Sequence, residues 1–195
     1  MTHLRLAAAT IAVALMLAAV AAAKEEWKTV TLGGDPGFTV SIPAAVGDYG
    51  GGKDPDDLMF FSVEAAGHGA LVCIAHRADY PKGVTQAAFA AALATERRKT
   101  FCSQDRSTIS NLDIGDSKSF NHHGLQAAVC TASYTDSAQK MPGIVTSQMV
   151  IAAPDKPYVL TCNVEEEDQE LAEYEWATLW GDKVRHIQDS FHLPK

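Results

Sequence analysis

Three strand patterns, "LQAAVCTASYT" from Leu125, "GIVTSQMVIAA" from Gly143 and "YVLTCNV" from Tyr158, succeed one another across links of a few residues. Links that short cannot bring a chain back parallel to itself, which takes a crossover of a dozen residues or more, so the strands must lie antiparallel. The connectors "DSAQKMPG" and "APDKP" supply the Asp, Gly and Pro that tight turns require, and "FNHHGL" does the same after a preceding pair of strands, "STISNLDI" and "SKSF". This part of the chain predicts an antiparallel meander.

Further strands precede it. "WKTVTL" and "FTVSIP" flank the breaker "GGDPG", and the second places Phe38, Val40 and Ile42 on one face, which predicts a hairpin. "AAVGDYGGGKDPDD" has no apolar period and reads as an exposed loop. "LMFFSVE" and "ALVCIAHRA" predict a second hairpin about "AAGHG". A helix is predicted over "TQAAFAAALATERRKTF", with Thr85 as its cap and Phe89 and Leu93 one turn apart. Arg97, Arg98 and Lys99 fall in its last turns, where they complement the negative end of the dipole.

A closing helix follows the acidic run Glu165 to Glu170, and Trp176, Trp180, Val184, Ile187 and Phe191 recur along it every three or four residues. That stripe must face a sheet, and acids at the helix start suit the dipole. Strands, helix, strands and helix with hairpin-length links make an α+β fold, an antiparallel sheet flanked by helices.

The front of the chain has a different character. His3 and Arg5, an apolar run from Leu6 to Val20 and small residues from Ala21 to Ala23 have the layout of a secretory signal peptide, so residues 1–23 are expected to be removed. Residues 24–195 are then expected to form a single globular domain. The chain carries 16 basic and 24 acidic residues, a net charge of −8. That charge repels nucleic acid and anionic membrane surfaces, and no stretch after the leader is long and apolar enough for stable membrane insertion.

Cys73, Cys102, Cys130 and Cys162 are an even set in a chain expected to be exported, and they read as two disulfides. No pair has C-x-x-C spacing, so a zinc ribbon or a thioredoxin-like redox site gains no support. Four cysteines allow three pairings; Cys73 with Cys102 and Cys130 with Cys162 is the one preferred from the sequence.

"FTVSIP", the mid-chain helix, the meander, "YVLTCNV", the acidic linker and the terminal "HIQDSFHL" together resemble the fold family of PsbP, the photosystem II lumenal subunit, and of its relative Mog, the Ran-binding transport factor. Exported bacterial members of unassigned role are similar. The resemblance spans Phe38 to His192 and lies in packing motifs, including Ser190-Phe191 docking the last helix. It implies an α/β/α sandwich around an antiparallel sheet and a non-enzymatic accessory or binding role. The expected leader argues against a nuclear Ran-binding role.

The chemistry-bearing residues form no compact motif. His122 and His123 sit in "FNHHG" and read as turn residues, with no acid or cysteine at metal-motif spacing, although His68, His76 or His186 could converge on them from elsewhere. Asp54, Asp56 and Asp57 in "KDPDD" lack the glycine and distal Glu of an EF-hand and read as a solvated loop. "GHG" at Gly67 to Gly69 reads as a hairpin turn, and there is no G-x-S-x-G elbow. The sequence thus assigns no catalytic residue, cofactor or metal. It favours an exported, periplasmic or secreted, non-catalytic accessory protein with an envelope protein or small ligand as partner. The alternative is a metal-linked or hydrolytic enzyme with a site assembled from distant His, Asp and Cys residues.

Overall fold

Apolar alternation along the strands leaves two buried faces, and the fold is the arrangement that covers both. The computed structural model describes residues 25–32, 37–51, 56–102 and 107–193. The expected leader, Gly33 to Pro36 of the first turn and Lys53 to Pro55 of the acidic loop lie outside the described residues.

Strands β1 (Trp27–Leu32) and β2 (Phe38–Pro43) pair with each other as a two-stranded sheet. Strands β3 (Asp57–Val63), β4 (Leu71–Arg77), β5 (Ile109–His122), β6 (Leu125–Asp136), β7 (Gly143–Ile151) and β8 (Tyr158–Glu166) form the main sheet in the order β3-β4-β8-β7-β6-β5. Every neighbouring pair is antiparallel. The expected meander is β5 to β8, and the β3–β4 hairpin adds to its far side through β4 and β8.

Two expected strands are one. "STISNLDI" and "SKSF" belong to the single strand β5, whose register against β6 shifts between Ser110 and Asp113 and again between Ile114 and Ser117. Those bulges absorb the residues that break the alternation, among them Asn111, which takes a positive φ of 54°. They also kink an exposed edge strand, which discourages pairing with other chains.

The mid-chain helix is also divided. Helix α1 (Gln86–Leu93) is capped by Thr85, whose hydroxyl accepts from the Ala88 amide, and it stops at Ala94. Thr95 then caps a separate 3₁₀ helix, Glu96–Phe101, by accepting from the Arg97 amide. Arg98 and Lys99 therefore end this 3₁₀ helix rather than the α-helix. A second capping threonine explains the break, because a side chain that satisfies a new helix start competes with continuing the old one.

The acidic run is corrected in the same way. Glu165 and Glu166 are the last residues of β8, and Asp168 caps helix α2 (Gln169–Glu175) by accepting from the Leu171 amide at 2.8 Å. A π turn, Trp176–Trp180, joins α2 to helix α3 (Gly181–Asp189), with the Gly181 amide donating to the Trp176 carbonyl five residues back. A Cβ on residue 181 would stand 2.9 Å from that carbonyl, so the wider turn needs glycine there. Trp180, Val184, Ile187 and Phe191 of the expected stripe are fully buried, while Trp176 is half-buried.

The closing helix and β1–β2 cover one sheet face, where Phe38, Val40 and Ile42 meet Phe61, Leu71, Met149, Leu160, Trp180 and Phe191. The Phe38 and Phe191 rings lie 4.7 Å apart, and the Ser41 amide donates to the Ser190 hydroxyl at 2.9 Å. Phe89 and Leu93 of α1 cover part of the other face over Ala128, Val150, Ala152 and Val159. Helices on both faces of an antiparallel sheet are the expected α+β class.

The disulfides are Cys73–Cys162 and Cys102–Cys130, and the pairing preferred from the sequence is wrong. Register decides it: β4 against β8 sets Cys73 directly opposite Cys162 with Cα atoms 4.1 Å apart, the spacing of a close cross-strand pair. Cys102, at the end of the 3₁₀ helix, reaches Cys130 on β6.

Replacing either pair by Ala should cost about 2–5 kcal/mol. Separations of 89 and 28 residues make the loss of Cys73–Cys162 the larger by about 1 kcal/mol on loop-closure entropy alone. Denaturant unfolding of Cys73→Ala/Cys162→Ala beside Cys102→Ala/Cys130→Ala measures both.

Candidate functional site

The edge strand β5 and the closing helix do not meet along their full length. Between them lies a groove of about 510 Å³, lined by Asp116, Lys118, Thr131, Trp176, Arg185 and Gln188 among others. A second hollow of about 200 Å³ shares Gly115, Thr131 and Trp176 with the first, so Trp176 stands between the two. Each element has a reason to leave this opening. The bulge before Ser117 leaves Gly115 and Asp116 outside the ladder, and the π turn carries Trp176 out of the fully buried stripe. Ser147 and Gln188 on the floor satisfy each other, the amide donating to the hydroxyl at 2.9 Å. Lys118 and Arg185 are exposed at the mouth, and Arg185 also pairs with Asp182 at 3.0 Å. The groove therefore offers a half-buried indole, hydroxyls, the cations Lys118 and Arg185 and the carboxylate of Asp116, which suits a partly apolar, partly charged chain segment.

A carboxylate pair joins the end of β8 to the last residue of α2. Glu166 and Glu175 are buried, 4% and 2% exposed. Glu175 accepts from the Gly69 amide at 2.9 Å and meets His68 Nδ1 at 2.8 Å. Burial opposes its charge, but the hydrogen bonds from His68, Gly69 and Glu166 outweigh burial and hold its pKa below the usual carboxylate range. Burial first, and then the hydrogen bond to Glu175 and its charge, push Glu166 up. Their surroundings thus pull the two carboxyls in opposite directions, Glu175 down and Glu166 up. A Cβ on residue 69 would lie 2.3 Å from Glu166 Oε1, so glycine is required where the β3–β4 turn meets the carboxylates. "GHG" is a turn, and it is also the clamp on a buried charge.

The two histidines of "FNHHG" separate. His123 and Gly124 both have positive φ, 51° and 93°, the signature of a two-residue type I′ turn between β5 and β6. Asn121 Oδ1 accepts from the Gly124 amide at 2.8 Å. His122 is not a turn residue: it ends β5, is buried, and its Nε2 pairs with the Phe191 carbonyl. Burial is the main influence on its pKa and lowers it. The residue that converges on the pair is His192, not His68, His76 or His186, and ring nitrogens of His122, His123 and His192 lie within 4.8 Å of one another. No local signal points to His192, because two backbone hydrogen bonds with Thr39 bring it there, a contact that residue spacing does not encode. Asp56 of "KDPDD" pairs with Lys156, Asp57 begins β3, and Asp54 lies outside the described residues.

No protein-family model and no curated protein matches the sequence. Solved structures share its fold. LpqN, involved in cell envelope biogenesis of Mycobacterium tuberculosis, superposes with a TM-score of 0.52 at 15% identity over 87% of this chain and 92% of that one. The Saccharomyces cerevisiae Ran-binding protein Mog1p gives 0.51 at 12% identity over 87% and 96%. Cyanobacterial PsbP from Synechocystis gives 0.49 at 11% identity over 89% and 96%. The chain has the PsbP/Mog-like fold. Identities this low establish architecture and leave function to the residues themselves.

The carboxylate pair sets a pH dependence. A raised pKa at Glu166 contributes stability that is full below the unfolded value of 4.5 and is lost as pH rises through the folded value. Glu166→Gln keeps a neutral hydrogen-bonding group and removes that loss, each tenfold difference in proton affinity between the folded and unfolded chain being worth about 1.4 kcal/mol. The variant should melt near the parent at pH 4 and progressively above it towards pH 8. Paired thermal melts across that range check the sign.

Proposed function

We propose that this chain is an exported, non-catalytic accessory protein that holds an extended segment of a partner protein in the groove between β5 and the closing helix. The groove carries the reading. It sets the half-buried Trp176 beside Lys118, Arg185 and Asp116 on a chain of net charge −8, and Lys118 and Arg185 are the groups there that an acidic segment can meet. An acidic segment with an apolar side chain fits that combination.

The two fold neighbours support a protein-facing role in kind: one is a Ran-binding protein and the other is involved in cell envelope biogenesis. Export is supported by the leader-like residues 1–23 and by two disulfides, which persist in oxidising compartments. Residues 24–195 are then one periplasmic or secreted domain, and its partner is an envelope protein. Among the described residues no helix is long and apolar enough to cross a membrane.

A photo-cross-linking residue placed at Lys118 or Arg185 should give one defined protein adduct in intact cells, and the same residue at Phe60, on the far edge of the sheet, should not. Equal labelling from all three positions, or labelling from Phe60 alone, overturns the assignment of the groove. Export has its own measurement: protein recovered outside the cytoplasm should have the intact mass of a chain starting near Lys24, and a chain still starting at Met1 would refute it.

A further inference from the structure

We propose that His122, His123 and His192 bind one borderline-soft divalent transition-metal ion, Zn²⁺ or Cu²⁺, which staples the end of the chain to the β5–β6 hairpin. The donors are the first ground. Each residue offers a ring nitrogen, and the three lie within 4.8 Å of one another. His123 Nε2 and His192 Nδ1 are 3.1 Å apart, close to the roughly 3.3 Å between two nitrogens on a tetrahedral ion with bonds of about 2.0–2.1 Å. With its Nε2 proton on the Phe191 carbonyl, His122 has Nδ1 free to ligate.

Preorganisation is the second ground. His122 is fixed at a strand end, with Leu125 as its ladder partner. His123 is held in the left-handed region by its turn, a conformation in which His is enriched but still uncommon. His192 is tied to Thr39 by two backbone hydrogen bonds, of 2.8 and 2.7 Å. Two separately anchored segments, the β5–β6 hairpin and the stretch held at Thr39, thus bring three imidazoles together, with no carboxylate in the donor set. A set of nitrogen donors selects zinc, copper or nickel over calcium and magnesium, which require oxygen.

His123 and His192 are both exposed, so an ion can enter directly and keeps one coordination position open to solvent. The site is distinct from the groove of the proposed function and does not depend on it.

The test titrates tag-free full-length protein with ZnCl₂ and with CuCl₂ by calorimetry, with MgCl₂ as the hard-ion control. A single site per chain is expected for zinc and copper and none for magnesium, with a melting temperature that rises with zinc concentration. His123→Asn, which keeps a residue tolerant of positive φ, and His192→Ala should each weaken binding at least about tenfold, the loss typical of removing even a supporting partner. Both variants should melt like the parent in chelator, so that loss of binding is not loss of fold. Failure of the parent to bind zinc at about 100 µM, where even a dissociation constant between micromolar and millimolar gives measurable occupancy, overturns the proposal. So does unchanged affinity in either variant, which leaves only a hydrogen bond between two imidazoles.

Discussion

The pairing of β4 with β8 is the constraint on which the rest of the structure depends. It inserts the last of the described strands between a hairpin from the chain's first half and the meander that leads up to it, turning two separate antiparallel units into one sheet. Leu71, Cys73 and Ala75 then face the same core as Leu160, Cys162 and Val164, and the Cys73–Cys162 bridge crosses that junction in its centre. The same pairing carries the β3–β4 turn to the end of β8, where the Gly69 amide reaches Glu175. A slip of one residue would turn every one of these side chains to the opposite face, so the bridge, the core and the carboxylate clamp all specify one register.

The closing helix is the second organising element, and its irregularity has a purpose in packing. A regular helix from Gln169 to Asp189 would carry Trp176 and Trp180 around on one uninterrupted stripe. The π turn adds a residue to one turn, leaving Trp180 fully buried while Trp176 stays at the surface between two hollows. Gly181 makes that possible because its missing Cβ lets the Trp176 carbonyl approach. A π turn is a local cost that structures retain where a side chain must be re-aimed, which is why the groove rather than the fully buried face is the candidate site.

Local rules were enough for most of the fold. Alternation located the strands, Thr85 and the aromatic stripe located the helices, and hairpin-length links dictated antiparallel order. Failures came wherever the deciding contact was distant in sequence. The cysteine pairing depended on β4 meeting β8, and His192 reached the β5–β6 turn through Thr39. Glu166 reads as one of the acids leading into the closing helix, because nothing nearby reveals that strand β8 extends through it and buries it. A second kind of failure was local competition: Thr95 reads as helix interior, and the structure uses it as a cap. The groove left no motif, since Lys118, Trp176 and Arg185 are ordinary residues until β5 and the helix are set side by side.

Lys118, Phe120 and His122 occupy alternate positions of β5 and so share the face that looks towards the closing helix. Four residues of strand separate the groove from the histidines by about 13 Å. The helix spans the same interval, with Arg185 and Gln188 at the groove and Phe191 accepting from His122 beyond its end. Both candidate sites therefore lie on one pair of elements. Bound there, the proposed ion would tie His192 to the hairpin and hold the end of the helix against β5, and a segment seated in the groove would bear on the same separation. Any effect of one on the affinity for the other would then be reciprocal.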